Sequence, residues 1–166
     1  MILSHIKRKI HVVRKMETIS SVVKIPSVNT LLKISKIPYL LIVEDNDFQL
    51  QTLLLIVNHL NYKFEVAKNG MMAIDTFKQK VNQNMFFTLI LMDICMPIMG
   101  GCEATEIIRK YEETNNLKRT YICGITADKG EKIEAKIVKS GMDNVLKKPV
   151  NAIILNEIIN SVMAKS

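Results

Sequence analysis

Along residues 39–163 short apolar runs alternate with longer segments whose apolar residues recur every three or four positions. Tyr39–Val43 (YLLIV), Phe86–Met92 (FFTLILM) and Thr120–Ile125 (TYICGI) are nearly unbroken apolar runs. Such runs read as strands covered on both faces, because a strand with one wet face alternates apolar and polar residues. Lys63–Ala67 does alternate and reads as an edge strand, and Asn144–Lys147 reads as a short last strand. The segments between them have helical period. Asp47–Leu60 places Phe48, Leu50, Leu53, Leu54, Val57 and Leu60 on one face, and Asn69-Gly70 turns the chain into a helix at Met71–Val81. Cys102–Glu113 turns Ile107 and Ile108 inward, Asp128–Ser140 is stopped by Gly141, and Ala152–Met163 closes the series. Five strand–helix units in succession predict an α/β fold: a doubly wound five-stranded parallel sheet with helices on both faces and right-handed crossovers.

The ends of these strands carry the chemistry. YLLIV is followed by Glu44-Asp45, FFTLILM by Asp93, YICGI by Thr126, and Lys148 stands before Pro149. In an open α/β sheet the carboxyl ends of the strands form the ligand crevice. Three acids, a hydroxyl and a lysine at that rim suit a divalent cation and a phosphoryl group. A carboxylate can accept a phosphoryl group as an acyl phosphate. Glu44, Asp45 and Asp93, with a main-chain carbonyl, suffice for magnesium, which takes oxygen ligands and retains waters. Three carboxylates packed without a cation repel and raise one another's pKa. Lys148 and Thr126 are placed to pair with the oxygens of a transferred phosphoryl group, whereas strand alternation sends Lys147 toward solvent.

Charge changes the picture less than it first suggests. The net charge of +7 arises wholly from residues 1–38, which hold eight Lys and Arg against Glu17; residues 39–166 hold fifteen of each sign. The chain therefore divides into a basic N-terminal tail or linker remnant (1–38) and a neutral domain (39–166), which gives no reason to expect specific nucleic-acid binding. Leu3, Ile6, Ile10, Val13 and Met16 recur at helical spacing among Lys and Arg, the pattern of a short amphipathic helix. Scarcity of acids there also fits a mitochondrial presequence, and a solvated leader is the plainer reading. No transmembrane segment is expected, since no apolar run approaches about 18 residues, and the N-terminus lacks the order of a secretory signal. Cys95, Cys102 and Cys123 form no CxxC pair and no metal spacing with histidine, as in reduced intracellular proteins. A cytoplasmic location follows, either alone or tethered to a membrane kinase as part of a longer protein.

The stretches LIVEDN (41–46), LILMDICMPIMGG (89–101), GITAD (124–128) and NVLKKP (144–149) resemble response-regulator receiver domains, the phosphoacceptor modules of two-component and phosphorelay signalling. Those at the C-terminus of hybrid sensor histidine kinases are the most similar. The resemblance covers residues 39–164 and implies a flavodoxin-like (βα)5 fold with strand order 2-1-3-4-5. It implies a Mg2+-dependent (or Mn2+-dependent) transfer of a phosphoryl group from a phosphohistidine to Asp93, followed by a conformational signal. By the same resemblance Asp45 and the Cys95 carbonyl ligate the metal directly, and Glu44 acts through a metal-bound water. Thr126, Ala127 and Lys148 bind the phosphoryl group, and the Lys148–Pro149 bond is cis. The implied partners are a histidine kinase or histidine phosphotransfer protein, meeting the helix at 47–60 through Phe48, Leu50 and Leu54, and a downstream phosphorelay protein.

Two positions depart from the family pattern. Val145 stands where an aromatic ring usually reports the phosphorylated state, so the hydroxyl-to-aromatic coupling has no ring to act on. Gly100 stands where an acid or asparagine is common, which loosens the loop and leaves the chemistry intact. Two rival readings follow: a phosphorylation-independent binding module, favoured by Val145, and a Mg2+-dependent aspartyl phosphohydrolase. The second needs an acid two residues after its nucleophile, and Cys95 occupies that place. An enzyme in that sense is not expected, only self-catalysed phosphotransfer with slow autodephosphorylation.

Overall fold

The computed structural model describes residues 38–127 and 131–165. Five strands, β1 (Tyr39–Val43), β2 (Lys63–Ala67), β3 (Leu89–Asp93), β4 (Tyr121–Thr126) and β5 (Asn144–Lys147), alternate with five helices. These are α1 (Asp47–His59), α2 (Gly70–Asn82), α3 (Gly101–Thr114), α4 (Glu131–Ser140) and α5 (Ala152–Ala164). All pairings are parallel, in the order β2-β1-β3-β4-β5. The expected basic tail falls outside the described residues, as do positions 128–130 of the expected helix at 128–140.

Alternation along each central strand feeds two cores. Leu40, Ile42, Leu89, Leu91, Cys123 and Ile125 meet Leu50, Leu53 and Val57 of α1 and Leu155 and Ile159 of α5. Leu41, Val43, Ile90, Met92 and Ile122 meet Ala73, Ile74 and Phe77 of α2 and Ala104 and Ile108 of α3. Each fully buried aliphatic side chain contributes roughly 1.5–3 kcal/mol by leaving water, and the strand residues 40–43 and 89–92 have no exposed surface. Inner strands are therefore fixed from both sides, and so are the residues that follow them.

Strand β3 begins at Leu89 rather than at Phe86. Phe86 is exposed, Phe87 packs on the Tyr39 ring, and the Thr88 hydroxyl accepts the Tyr39 N–H at 3.2 Å, so this segment crosses the sheet's end before pairing begins. Asparagines cap three helices: Asn46 accepts from the Gln49 N–H at 3.0 Å, Asn69 from Met72 at 2.9 Å, and Asn151 from Ile153 at 2.8 Å. Gly100 caps α3 without a side chain. Gly141 closes α4 at φ +83°, the left-handed conformation in which glycine carries no Cβ penalty.

The close approach of α3 to β3 depends on Gly101. Its N–H donates to the Ile94 carbonyl at 3.0 Å, and a Cβ there would run into the Asp93 carbonyl and lie 2.7 Å from Met92 Cγ. We expect Gly101→Ala to destabilise the protein by about 1–3 kcal/mol, the cost of overpacking beside an inflexible backbone, measured by urea unfolding.

Candidate functional site

The parallel register brings the polar strand ends together. Asp93 is the last residue of β3 and pairs with Ile125, so Thr126 lies one step beyond it at the end of β4. The Glu44 N–H donates to the Ala67 carbonyl at 3.1 Å, extending the β1–β2 ladder by one residue and setting Glu44 beside the other strand ends. The Lys148 N–H donates to the Thr126 carbonyl at 2.9 Å, which holds Lys148 at the same rim. The Lys148–Pro149 peptide is cis.

Glu44, Asp45 and Asp93 each present a carboxylate oxygen, and the three oxygens lie within 4.8 Å of one another. Glu44 and Asp93 are buried, and Asp45 is only partly covered. Lys148 Nζ stands between two of them, 2.8 Å from Asp93 Oδ2 and 2.9 Å from Glu44 Oε2. The other Asp93 oxygen, Oδ1, accepts the Cys95 N–H at 3.2 Å. Cys95 itself is exposed, in the loop between β3 and α3. Thr126 is buried, whereas Ala127 is exposed. Val145, paired with Gly124, is half-buried and borders an open cavity of about 660 Å³ together with Thr126, Ile133, Ile137 and Val138.

Lys148 gives the site an internal positive charge, so the acids are not held together by an external cation alone. Residue pattern could not show this, because it depends on β5 aligning Lys148 with β1 and β3. One cation still cannot satisfy three carboxylates. Burial pushes Glu44 above the usual carboxylate range, Lys148 pulls it down, and the Asp93 charge pushes it up again. For Lys148, burial favours the neutral amine, yet its bonds to Asp93 and Glu44 outweigh this and raise its pKa. Glu44 Oε2 is buried and makes no well-aligned hydrogen bond. That under-satisfied oxygen and an all-oxygen donor set fit a hard divalent cation.

The response regulator receiver domain family matches residues 40–160. The chain belongs to the response regulator receiver family. It is 33% identical over 125 residues to hybrid signal transduction histidine kinase I of Dictyostelium discoideum, covering 75% of this chain but 7% of that protein. Most of those kinases' length thus has no counterpart here. The receiver domain of histidine kinase CKI1 from Arabidopsis thaliana, complexed with Mg2+ and BeF3−, superposes with a TM-score of 0.66 at 29% identity, covering 75% of this chain and 90% of that one. A co-crystal of the Saccharomyces cerevisiae histidine phosphotransfer protein Ypd1 with the receiver domain of its downstream response regulator Ssk1 gives 0.68 at 27%, covering 77% and 90%.

The face expected to meet a phosphohistidine partner needs correction. Leu50 is 5% exposed and belongs to the core, and Leu54 is half-buried. The exposed apolar residues of α1 are Phe48 (81%) and Leu55 (72%), seven residues apart and therefore on one helical face.

Replacing Lys148 tests the electrostatics. Lys148→Met leaves Glu44 and Asp93 facing each other, and we expect it to cost about 3 kcal/mol in metal-free buffer, as for a broken buried pair. Millimolar Mg2+ should restore more stability to this variant than to the natural protein, read as a larger rise in Tm.

Proposed function

We propose that Asp93 is the phosphoacceptor of this receiver domain. The observation that carries this reading is the pairing of Asp93 with Lys148 at 2.8 Å inside a three-carboxylate cluster at the carboxyl end of the central strand. Asp45, Asp93 and the Cys95 carbonyl would hold Mg2+ directly, with Glu44 acting through a bound water. When bound, the ion supplies the charge neutralisation that lets an anionic phosphoryl group approach a carboxylate. An Asp93 oxygen attacks the phosphorus, an O–P bond forms, the N–P bond of the donor breaks, and the imidazole leaves with its electron pair. Lys148, already 2.8 Å from Asp93 Oδ2, pairs with one transferred oxygen. The Thr126 hydroxyl and the Ala127 N–H donate to others, and the movement of Thr126 and Lys148 toward the new charge shifts β4, β5 and α4.

The donor in this reading is a histidine kinase or a histidine phosphotransfer protein, met through Phe48 and Leu55 at the start and middle of α1. A downstream phosphorelay protein reads the result, and the site operates in the cytoplasm within a longer kinase or beside one. No described helix is long and apolar enough to cross a membrane. A turnover phosphohydrolase is disfavoured because Cys95 stands where its acid would be.

Incubation with acetyl phosphate and Mg2+ should add one phosphoryl group by intact mass. The gain should vanish in Asp93→Asn and on chelation. Multiple turnover on phosphomonoesters would instead indicate a hydrolase, and absence of labelling in the natural protein a phosphorylation-independent binding module.

A further inference from the structure

We propose that the amino-terminal end of the sheet is a docking site for an acidic peptide segment of a partner protein, anchored by a bulky apolar side chain. This end lies opposite the phosphoacceptor rim, across strands of four to six residues, or roughly 13–20 Å. A cavity of about 740 Å³ opens there, a volume in the range of ligand pockets. Phe87, Leu117, Tyr121 and Val162 give it an apolar lining together with the half-exposed Phe86 ring.

Its rim is cationic. Lys118, Arg119 and Lys165 line the cavity, and Asp143 is the one acid among its lining residues. Asp143 is already neutralised: it pairs with Arg109 at 2.7 Å and Arg119 at 3.0 Å and accepts the Ile122 N–H at 2.8 Å. Lys118 and Lys165 make no ion pair with any described residue. This local excess is not a reflection of bulk charge, because residues 39–166 are neutral. Two lysines without an ion pair among the described residues thus stand at the end of the sheet opposite the carboxylate cluster.

The combination selects the occupant. The domain's overall neutrality gives a polyanionic nucleic acid no long-range attraction, whereas an uncharged apolar peptide would leave the rim unmatched. An acidic segment carrying a Leu or Phe satisfies both, and complementary charge sets its orientation. Because the two ends are separate, such a partner can remain bound while Asp93 exchanges phosphoryl groups, so this proposal does not depend on the phosphoacceptor assignment.

The probe is a ten-residue peptide with a central Leu-Phe pair flanked by four glutamates on each side, titrated by NMR into the isotope-labelled full chain. A glutamine-substituted peptide and phosphatidylserine vesicles are run in parallel. Saturable shifts at residues 117–121 and 162–165 are expected, weakened by added salt. The double variant Lys118→Glu with Lys165→Glu, and separately Phe86→Ser, should each weaken binding at least ~10-fold while circular dichroism and acetyl phosphate labelling stay unchanged. Shifts confined to residues 1–38, or binding undiminished in these variants, would assign the peptide to the basic tail and overturn the proposal. Equal binding of the glutamine peptide, contact by vesicles alone, or no saturable binding at millimolar peptide would overturn it too.

Discussion

Carboxylates gathered at the ends of dry strands must be given positive charge, and the rest of the site is arranged around that requirement. Glu44 and Asp93 are buried where water cannot screen them. Two unit charges about 4 Å apart interact several-fold more strongly near a protein surface than in bulk water. Lys148 answers part of the repulsion by bridging both acids. Its own position is set by the Lys148 N–H bond to the Thr126 carbonyl and thus by the β4–β5 pairing. The electrostatic balance at β1 and β3 therefore rests on an edge strand of four residues. Any charge added at Asp93 competes for the same ammonium group, so the strand least buried in the sheet is the one that registers it.

Much of this was legible in the residues. Unbroken apolar runs can be stable only as doubly covered strands, so their first polar residues had to emerge at the sheet's carboxyl end, and Glu44, Asp93 and Thr126 do. Gly141 stopping α4 and Asn69 opening α2 follow from local backbone chemistry that tertiary context did not override. What failed was decided by packing between distant segments. Phe86 and Phe87 have the composition of a strand, yet Thr88 bonds to Tyr39 before pairing begins and the two rings point to different fates. Phe48 and Leu50 both fit the apolar pattern of the helix at 47–60, and only packing against α5 and β1 decides that Leu50 is core and Phe48 is surface. The Lys148 bridge could not be read from the chain, since it joins groups 104 and 55 residues apart in sequence whose proximity is a product of strand order.

The same geometry bears on how a phosphoryl group at Asp93 would be reported. Val145 faces the region beside Thr126, with Ile133, Ile137 and Val138 of α4 around it and a cavity of about 660 Å³ between them. A ring in that place would have to leave before the helix could move in, which makes the two states sterically exclusive. A valine imposes no such exclusion. Inward movement of Thr126 can be followed directly by the aliphatic side chains of α4, since the space is present before the charge arrives. With no ring to expel, the proposed mechanism would draw the difference in free energy between the two arrangements from the pull of Thr126 and Lys148 on the phosphoryl oxygens and from the apolar area that α4 gains. A ligand shifts such an equilibrium only by its differential affinity for the two states. Under the proposed assignment a partner that holds α4 in either arrangement shifts the same equilibrium, so readout would depend on what contacts α4 as well as on the phosphoryl group.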